Sequence, residues 1–155
     1  MPTIHVNPIL SPDQIFGFYL RNAICESEYG RDEAARILDH PHLIVAALDE
    51  GEIVALARAT FDGLSACVME FSLDLRWQGE TQYGNGSLLE SDPKGLGAAI
   101  GNCLLDELRQ RGCRFISCSI VAGAEEAFYR SIGFRENEGH LVYYIDERPY
   151  VVGRD

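Results

Sequence analysis

Between residues 42 and 75 the chain writes three apolar runs separated by two very short turns. The first run is His42 to Leu48, carrying Leu43, Ile44, Val45, Ala46 and Ala47. Asp49-Glu50-Gly51 ends it, Glu52 to Thr60 forms the second, Phe61-Asp62-Gly63 ends that, and Leu64 to Leu75 forms the third. A parallel connection needs a crossover of about a dozen residues, which neither turn supplies. The three runs therefore pair as an antiparallel meander, and the rest of the chain must cover its faces.

The flanking segments supply that cover. Thr3 to Ile9 reads as a short strand. Ser11-Pro12-Asp13-Gln14 starts a helix: Ser11 caps, Pro12 suits the first turn and Gln14 completes a capping box. That helix should turn Ile15, Phe16, Phe18, Tyr19 and Ala23 inward and break at Glu28-Tyr29-Gly30, before a second helix over Arg31 to Leu38. After the meander, Arg76 to Asp92 has no clear period; a loop this long is either functional or a tolerated insertion. Gly97 to Gln110 is a helix with Ile100, Leu104, Leu105 and Leu108 near helical spacing, stopped at Arg111-Gly112. Cys113 to Val121 is a strand, Ala124 to Ser131 a short helix ended by Gly133, and Leu141 to Ile145 a late strand that Tyr150-Val151-Val152 extends or follows. The order predicts one α/β (α+β) domain over residues 1–155: a mixed, mostly antiparallel sheet flanked by about four helices.

Charge narrows the partners. Thirteen basic and 24 acidic side chains leave a net charge of -11, a surface that repels nucleic acid and anionic membrane. The same surface attracts a cationic molecule, or simply keeps the protein soluble. No run of about 18 apolar residues is present to span a membrane. Met1 to Val6 lacks the features of a signal peptide, so a cytoplasmic location is expected. The cysteines, Cys25, Cys67, Cys103, Cys113 and Cys118, are odd in number, form no Cys-x-x-Cys pair and sit within apolar patterns, as free core thiols would. His40 and His42 flank Pro41 in a loop, and no metal site is expected.

Asp92-Pro93-Lys94-Gly95-Leu96-Gly97 leads directly into the longest helix. The first turn of a helix has four backbone N–H groups without intrahelical partners and carries the positive end of the helix dipole. Glycines admit an anion close to such amides, and Lys94 adds a full charge. Glycines at this place also serve simply to start a helix. A nucleotide hydrolase of the P-loop type is poorly supported, because Gly95-Leu96-Gly97 is not followed by Lys-Ser/Thr.

Together with the helix and the Tyr129 segment downstream, this turn resembles the GNAT superfamily of acetyl-CoA-dependent N-acetyltransferases. The family's phosphate loop, [R/Q]-x-x-G-x-[G/A], aligns with Asp92 to Gly97. The helix then runs to Arg111-Gly112-Cys113, and Ala127-Phe128-Tyr129-Arg130-Ser131-Ile132-Gly133-Phe134 looks like the family's Tyr-x-x-x-Gly-Phe signature. The likeness covers about residues 40 to 150. Three positions depart: Asp92 stands where the family has Arg or Gln, Pro93 lacks an N–H, and Ala122 replaces a frequent Asn seven residues before the tyrosine.

The resemblance implies a GNAT-like fold and direct acetyl transfer from acetyl-CoA to a primary amine of a small, cationic acceptor. The alternative is a non-catalytic GNAT-like domain that senses acyl-CoA or binds a protein. Tyr129 matches the tyrosine that protonates the departing thiolate, or else is a core aromatic. The base is expected from the third strand of the meander, where alternation places Val68, Glu70, Ser72 and Asp74 on one face. Glu70 is the first candidate, Asp74 the second and Glu80 an outside one; a merely solvated face is the competing reading. The amides near Leu73 to Leu75 should meet the pantetheine arm, and Lys94 with Gly95, Leu96, Gly97, Ala98 and Ala99 should hold the pyrophosphate. Trp77 and Tyr83 would wall an amine pocket or pack the long loop. The late strands from Tyr143 to Val152 are placed to pair across a homodimer.

Overall fold

The computed structural model describes residues 1–40 and 43–148. Five strands form one sheet in the order β1-β2-β3-β4-β5: β1 Thr3–Val6, β2 Leu43–Asp49, β3 Glu52–Phe61, β4 Ser65–Leu73 and β5 Phe115–Ser117. The first four are antiparallel neighbours, and β5 lies parallel to β4. The helices are α1 Pro12–Arg21, α2 Arg31–Ala34, α3 Leu75–Gln78, α4 Leu96–Gln110 and α5 Glu126–Ser131. Short 3₁₀ turns cover Cys25–Tyr29 and Ala35–Leu38. The mixed, mostly antiparallel sheet with flanking helices is the predicted architecture.

Two apolar layers explain why β2 and β3 read as near-continuous apolar runs, since both faces of each are buried. On one face, Ile15, Phe18, Tyr19 and Ile24 pack on Ile44, Ala46, Ile53 and Leu56. On the other, α4 lays Ile100, Leu104, Leu105 and Leu108 over Val45, Ala47, Ala55 and Ala57. Gly101 lets α4 seat closely: a Cβ there would stand 2.8 Å from Phe71 Cζ. Each such buried Leu or Ile contributes about 2 kcal/mol through removal from water.

The capping box on α1 forms as expected, with Gln14 N–H donating to Ser11 Oγ at 3.1 Å and Ser11 N–H to Gln14 Oε1 at 2.8 Å. Other expectations are corrected. The first strand stops at Val6 because Asn7, at φ 49°, folds back and accepts the Ile44 N–H on its side chain. Ala23 lies past the end of α1, exposed, at φ 53°. The second helical segment splits into α2 and a 3₁₀ turn. The strand expected over Cys113 to Val121 keeps only three residues of β5.

Leu141 to Ile145 form no strand. Their side chains are all exposed, Ile145 at 91%; β5 is too short an edge to recruit another strand there. His42 and the Tyr150-Val151-Val152 segment lie outside the described residues. All five cysteines are free, yet only Cys113 is buried and Cys67 is exposed. Among the described residues no helix is long and apolar enough to cross a membrane.

Candidate functional site

The site begins with one extra residue in β4. Arg58 pairs with Glu70 but Ala59 pairs with Val68, so Met69 has no partner across the ladder. A bulge of this kind reverses the alternation of everything beyond it. Ala66 and Val68 face the α4 layer before the bulge; Phe71 and Leu73 face it after. Glu70 and Ser72 are thereby turned to the α1 face, and Val68 no longer shares a face with them. The single face expected for Val68, Glu70, Ser72 and Asp74 does not exist.

The bulge also bends β4 away from β5. Their pairing ends at Cys67 and Ser117. Leu73 directs its N–H away from β3, onto Gly86 O at 2.9 Å; the two-residue period of the strand points the Phe71 N–H and C=O to the same open edge. A cleft of about 190 Å³ fills the divergence, lined by Glu26, Val68, Met69, Glu70, Phe71, Ser87, Leu88, Ser119, Val121, Glu125 and Tyr129.

Three acidic residues line this cleft, and the carboxylates of two are already engaged. Glu70 Oε1 accepts from Tyr19 Oη and Arg58 Nε, each at 2.7 Å, and Oε2 accepts from Ser72 Oγ at 2.6 Å. Glu125 accepts the Leu89 and Val121 N–H groups at 3.3 and 2.9 Å. Glu26, from the 3₁₀ turn after α1, meets no donor but its own backbone N–H among the described residues. Burial, with the negative charge of Glu70, raises its carboxyl above the ordinary range.

Tyr129 closes the cleft from α5. Its ring is boxed by Phe71, Phe128 and Phe134, at 5.9, 5.5 and 5.4 Å between centroids. Gly133, at φ 108°, ends α5 and turns Phe134 back until its N–H donates to Tyr129 O at 3.0 Å. Burial pushes the Tyr129 hydroxyl well above its usual value, so it stays protonated at neutral pH.

At the N-terminus of α4 the chain supplies its own anion. Asp92 Oδ1 accepts the Gly97 N–H and Oδ2 the Ala98 N–H, both at 2.8 Å. Gly95, at φ 74°, makes the left-handed turn that brings the carboxylate round. Lys94 is exposed and places Nζ 4.7 Å above the Trp77 ring.

The whole arrangement can be compared with solved structures. A Streptococcus pneumoniae acetyltransferase of the GNAT family superposes with TM-score 0.67 at 19% identity, over 96% of this chain and 100% of that one. The fold is the GNAT fold. AAC(6')-Iy, bound to a CoA-S-monomethyl-acetylneamine bisubstrate analogue, gives TM-score 0.64 at 11% identity, over 94% and 99% of the two chains. A Bacillus halodurans transcriptional regulator gives TM-score 0.65 at 14% identity, over 94% and 100%. No family model matches the sequence, and no curated protein does either.

Set on the GNAT fold, the residues named from sequence fall into two groups. Glu70 and Tyr129 line one cleft. Asp74 does not: it caps α3 by accepting the Arg76 N–H at 2.9 Å and pairs with the Arg76 guanidinium at 2.9 Å. Despite its burial, the Arg76 hydrogen bonds hold its carboxyl below the ordinary range. The Leu73 and Leu75 amides are also taken, by Gly86 O and by Asn22 Oδ1 at 2.8 Å, so the open backbone lies upstream at Phe71. Trp77 and Tyr83 are absent from the cleft wall, and Glu80 is exposed outside it.

The Arg76 to Asp92 segment is fastened down rather than loose, through Gly86 N–H to Asn22 O at 2.8 Å and Gln78 Nε2 to Leu73 O at 2.9 Å. An acyl-CoA, the group a GNAT fold implies, would meet two unlike places here. The open edge at Phe71 fits an amide-bearing arm. The amides of Gly97 and Ala98 do not fit a pyrophosphate while Asp92 holds them. Glu26 and Glu125 were not found from sequence; the single signal for them was an acid after the first helix and another two residues before Ala127.

Proposed function

We propose that this chain is an acyltransferase that moves an acetyl group from acetyl-CoA to the amine of a small, cationic acceptor. The observation that carries this reading is one cleft lined by both Tyr129 and Glu26, whose carboxylate accepts no side-chain hydrogen bond among the described residues. The bisubstrate complex of AAC(6')-Iy, on the same fold, supports a small-molecule amine as acceptor.

Transfer to an amine asks the protein for three things: a negative surface to draw in the cation, a base to take its proton, and an acid to protonate the departing sulfur. Glu26, Glu70 and Glu125 make the cleft wall acidic. Glu26 takes the proton from the acceptor ammonium, directly or through a water. Its raised carboxyl value suits this, since the ideal base titrates near the working pH. Glu70 holds Tyr19, Arg58 and Ser72 in place and is a positioning residue in this scheme rather than the base. Tyr129, kept neutral by burial, holds a proton ready for the sulfur. The Phe71 N–H is the donor placed for the carbonyl oxygen on which charge develops.

Release of free thiol from acetyl-CoA across a panel of polyamines, aminoglycosides and amino acid amides tests the reading. Amine-dependent release is expected, and an absence of both turnover and acetyl-CoA binding overturns it.

Asp92 favours a second reading, a non-catalytic GNAT-like domain that senses acyl-CoA or binds a protein, because its carboxylate claims the amides a donor's phosphates would use. Acetyl-CoA binding without thiol release supports the sensor, and the absence of binding supports the interaction domain.

A further inference from the structure

We propose that Asp92 is an internal anion that holds the phosphate end of the donor site shut, so that a donor carrying a pyrophosphate binds only as the Asp92 carboxylate leaves the α4 amides. This rests on the acyl-donor reading above for its biological meaning, though the closed contact itself is seen directly.

The geometry is that of a bound oxyanion. Two oxygens of one group lie on two successive amides, Gly97 and Ala98, at 2.8 Å each. Charge-assisted bonds of this length are about twice as strong as neutral ones, and they sit at the positive end of a helix. The backbone is shaped to permit them. A Cβ on Gly97 would lie 3.1 Å from Asp92 Cγ and 3.0 Å from Leu89 Cδ1, so glycine here makes room for the chain's own carboxylate and for Leu89. The turn between them is closed by Gly95 N–H to Asp92 O at 3.1 Å, with Gly95 left-handed.

The nearby cation does not offset the carboxylate. Lys94 rests over Trp77, and Pro93 has no N–H to offer. An incoming pyrophosphate therefore finds the Gly97 and Ala98 amides filled and a like charge at the same spot. The apparent affinity of such a donor is its affinity for the open form multiplied by the fraction of molecules in which Asp92 has swung away. A donor without phosphates meets no such obstacle. Asp92 thus discriminates between donors by their anionic end, and any event that draws its carboxylate off α4 opens the site.

Binding of three probes separates the possibilities: acetyl-CoA, S-acetyl-pantetheine (which lacks the pyrophosphate) and inorganic pyrophosphate. Each is titrated into the wild type, Asp92→Ala and Asp92→Asn by calorimetry, with helix content followed by circular dichroism. The Asn variant keeps an acceptor for one amide and so preserves the fold if the Ala variant does not. The expected result is acetyl-CoA and pyrophosphate binding about tenfold tighter or more in Asp92→Ala and tighter by a lesser factor in Asp92→Asn, with S-acetyl-pantetheine unchanged. Unchanged or weaker binding of acetyl-CoA and pyrophosphate in both variants overturns the proposal and leaves Asp92 a helix cap. If pyrophosphate tightens while neither acyl compound binds any variant, the closed site stands and the acyl-donor reading fails.

Discussion

The cleft beside β4 and the N-terminus of α4 treat their polar groups in opposite ways. Where β4 leaves β5, the bulge at Met69 opens the backbone, leaving the Phe71 peptide at an open edge beside a cleft where Glu26 accepts no side-chain hydrogen bond among the described residues. At α4, the chain turns back through Gly95 and satisfies its own amides with Asp92. Both are built from backbone amides that secondary structure leaves over. Only the first leaves them for something else. One architecture thus holds a backbone edge left open at β4 and amides closed from within at α4, and fold alone does not reveal which has happened.

The contrast yields effects of graded size. The largest is expected at the cleft. Tyr129→Phe removes the proton but keeps the ring among Phe71, Phe128 and Phe134, so turnover should fall about 100-fold or more with acetyl-CoA affinity unchanged. Steady-state kinetics beside a binding titration checks this, and undiminished turnover would remove Tyr129 from the acid role. Glu26→Gln should lower kcat by a similar order and change its pH profile. In the wild type, kcat/KM should fall as pH drops through the raised Glu26 value, above the ordinary carboxylate range, because protonation removes the base. The variant should lack that limb; an identical profile in both proteins would show that another group is the base.

The closed amides at α4 give smaller and opposite effects. Asp92→Ala should lose about 1 kcal/mol of folding stability, as removal of a capping carboxylate does, while gaining affinity for acetyl-CoA. Urea unfolding and calorimetry on the same sample check the two signs; loss of both stability and affinity would make Asp92 purely structural.

The smallest effect concerns Asp74, whose carboxyl is held below its ordinary value of about 3.8. A depressed carboxyl contributes stability that is complete above the unfolded value and is lost as pH falls through it toward the folded one. Asp74→Asn should therefore cost about 1 kcal/mol near neutrality and progressively less in acid. A difference independent of pH would show that the charge on Asp74 does not matter.

What the sequence revealed depends on how local each feature is. The α1 capping box and the meander are set by residues a few positions apart; the box formed where read, and so did the meander except that its third strand ends at Leu73 and Leu75 begins α3. The stop at Gly133 was legible as a glycine after a short helix, whereas the packing of Phe134 on Tyr129 that its left-handed turn permits was not. The bulge was not legible, since period-two alternation was carried straight through Met69; a single extra residue then misassigned the faces of Val68 and Glu70. The acid at Asp92 was visible as a departure, but its seat on α4 depends on the left-handed turn at Gly95, which the sequence does not display. Glu26 enters the cleft only because packing carries a 3₁₀ turn over β4. Leu141 to Ile145 have the composition of a strand, yet the neighbouring edge strand β5 is only three residues long.

Thiol release from acetyl-CoA, measured in parallel for the wild type, Asp92→Ala and Tyr129→Phe with a cationic amine panel, tests the acyl-transfer reading most directly. The reading predicts amine-dependent release by the wild type, release at lower acetyl-CoA concentration by Asp92→Ala, and little release by Tyr129→Phe. Folded protein that releases no thiol with any amine, in the wild type and in Asp92→Ala alike, would contradict it.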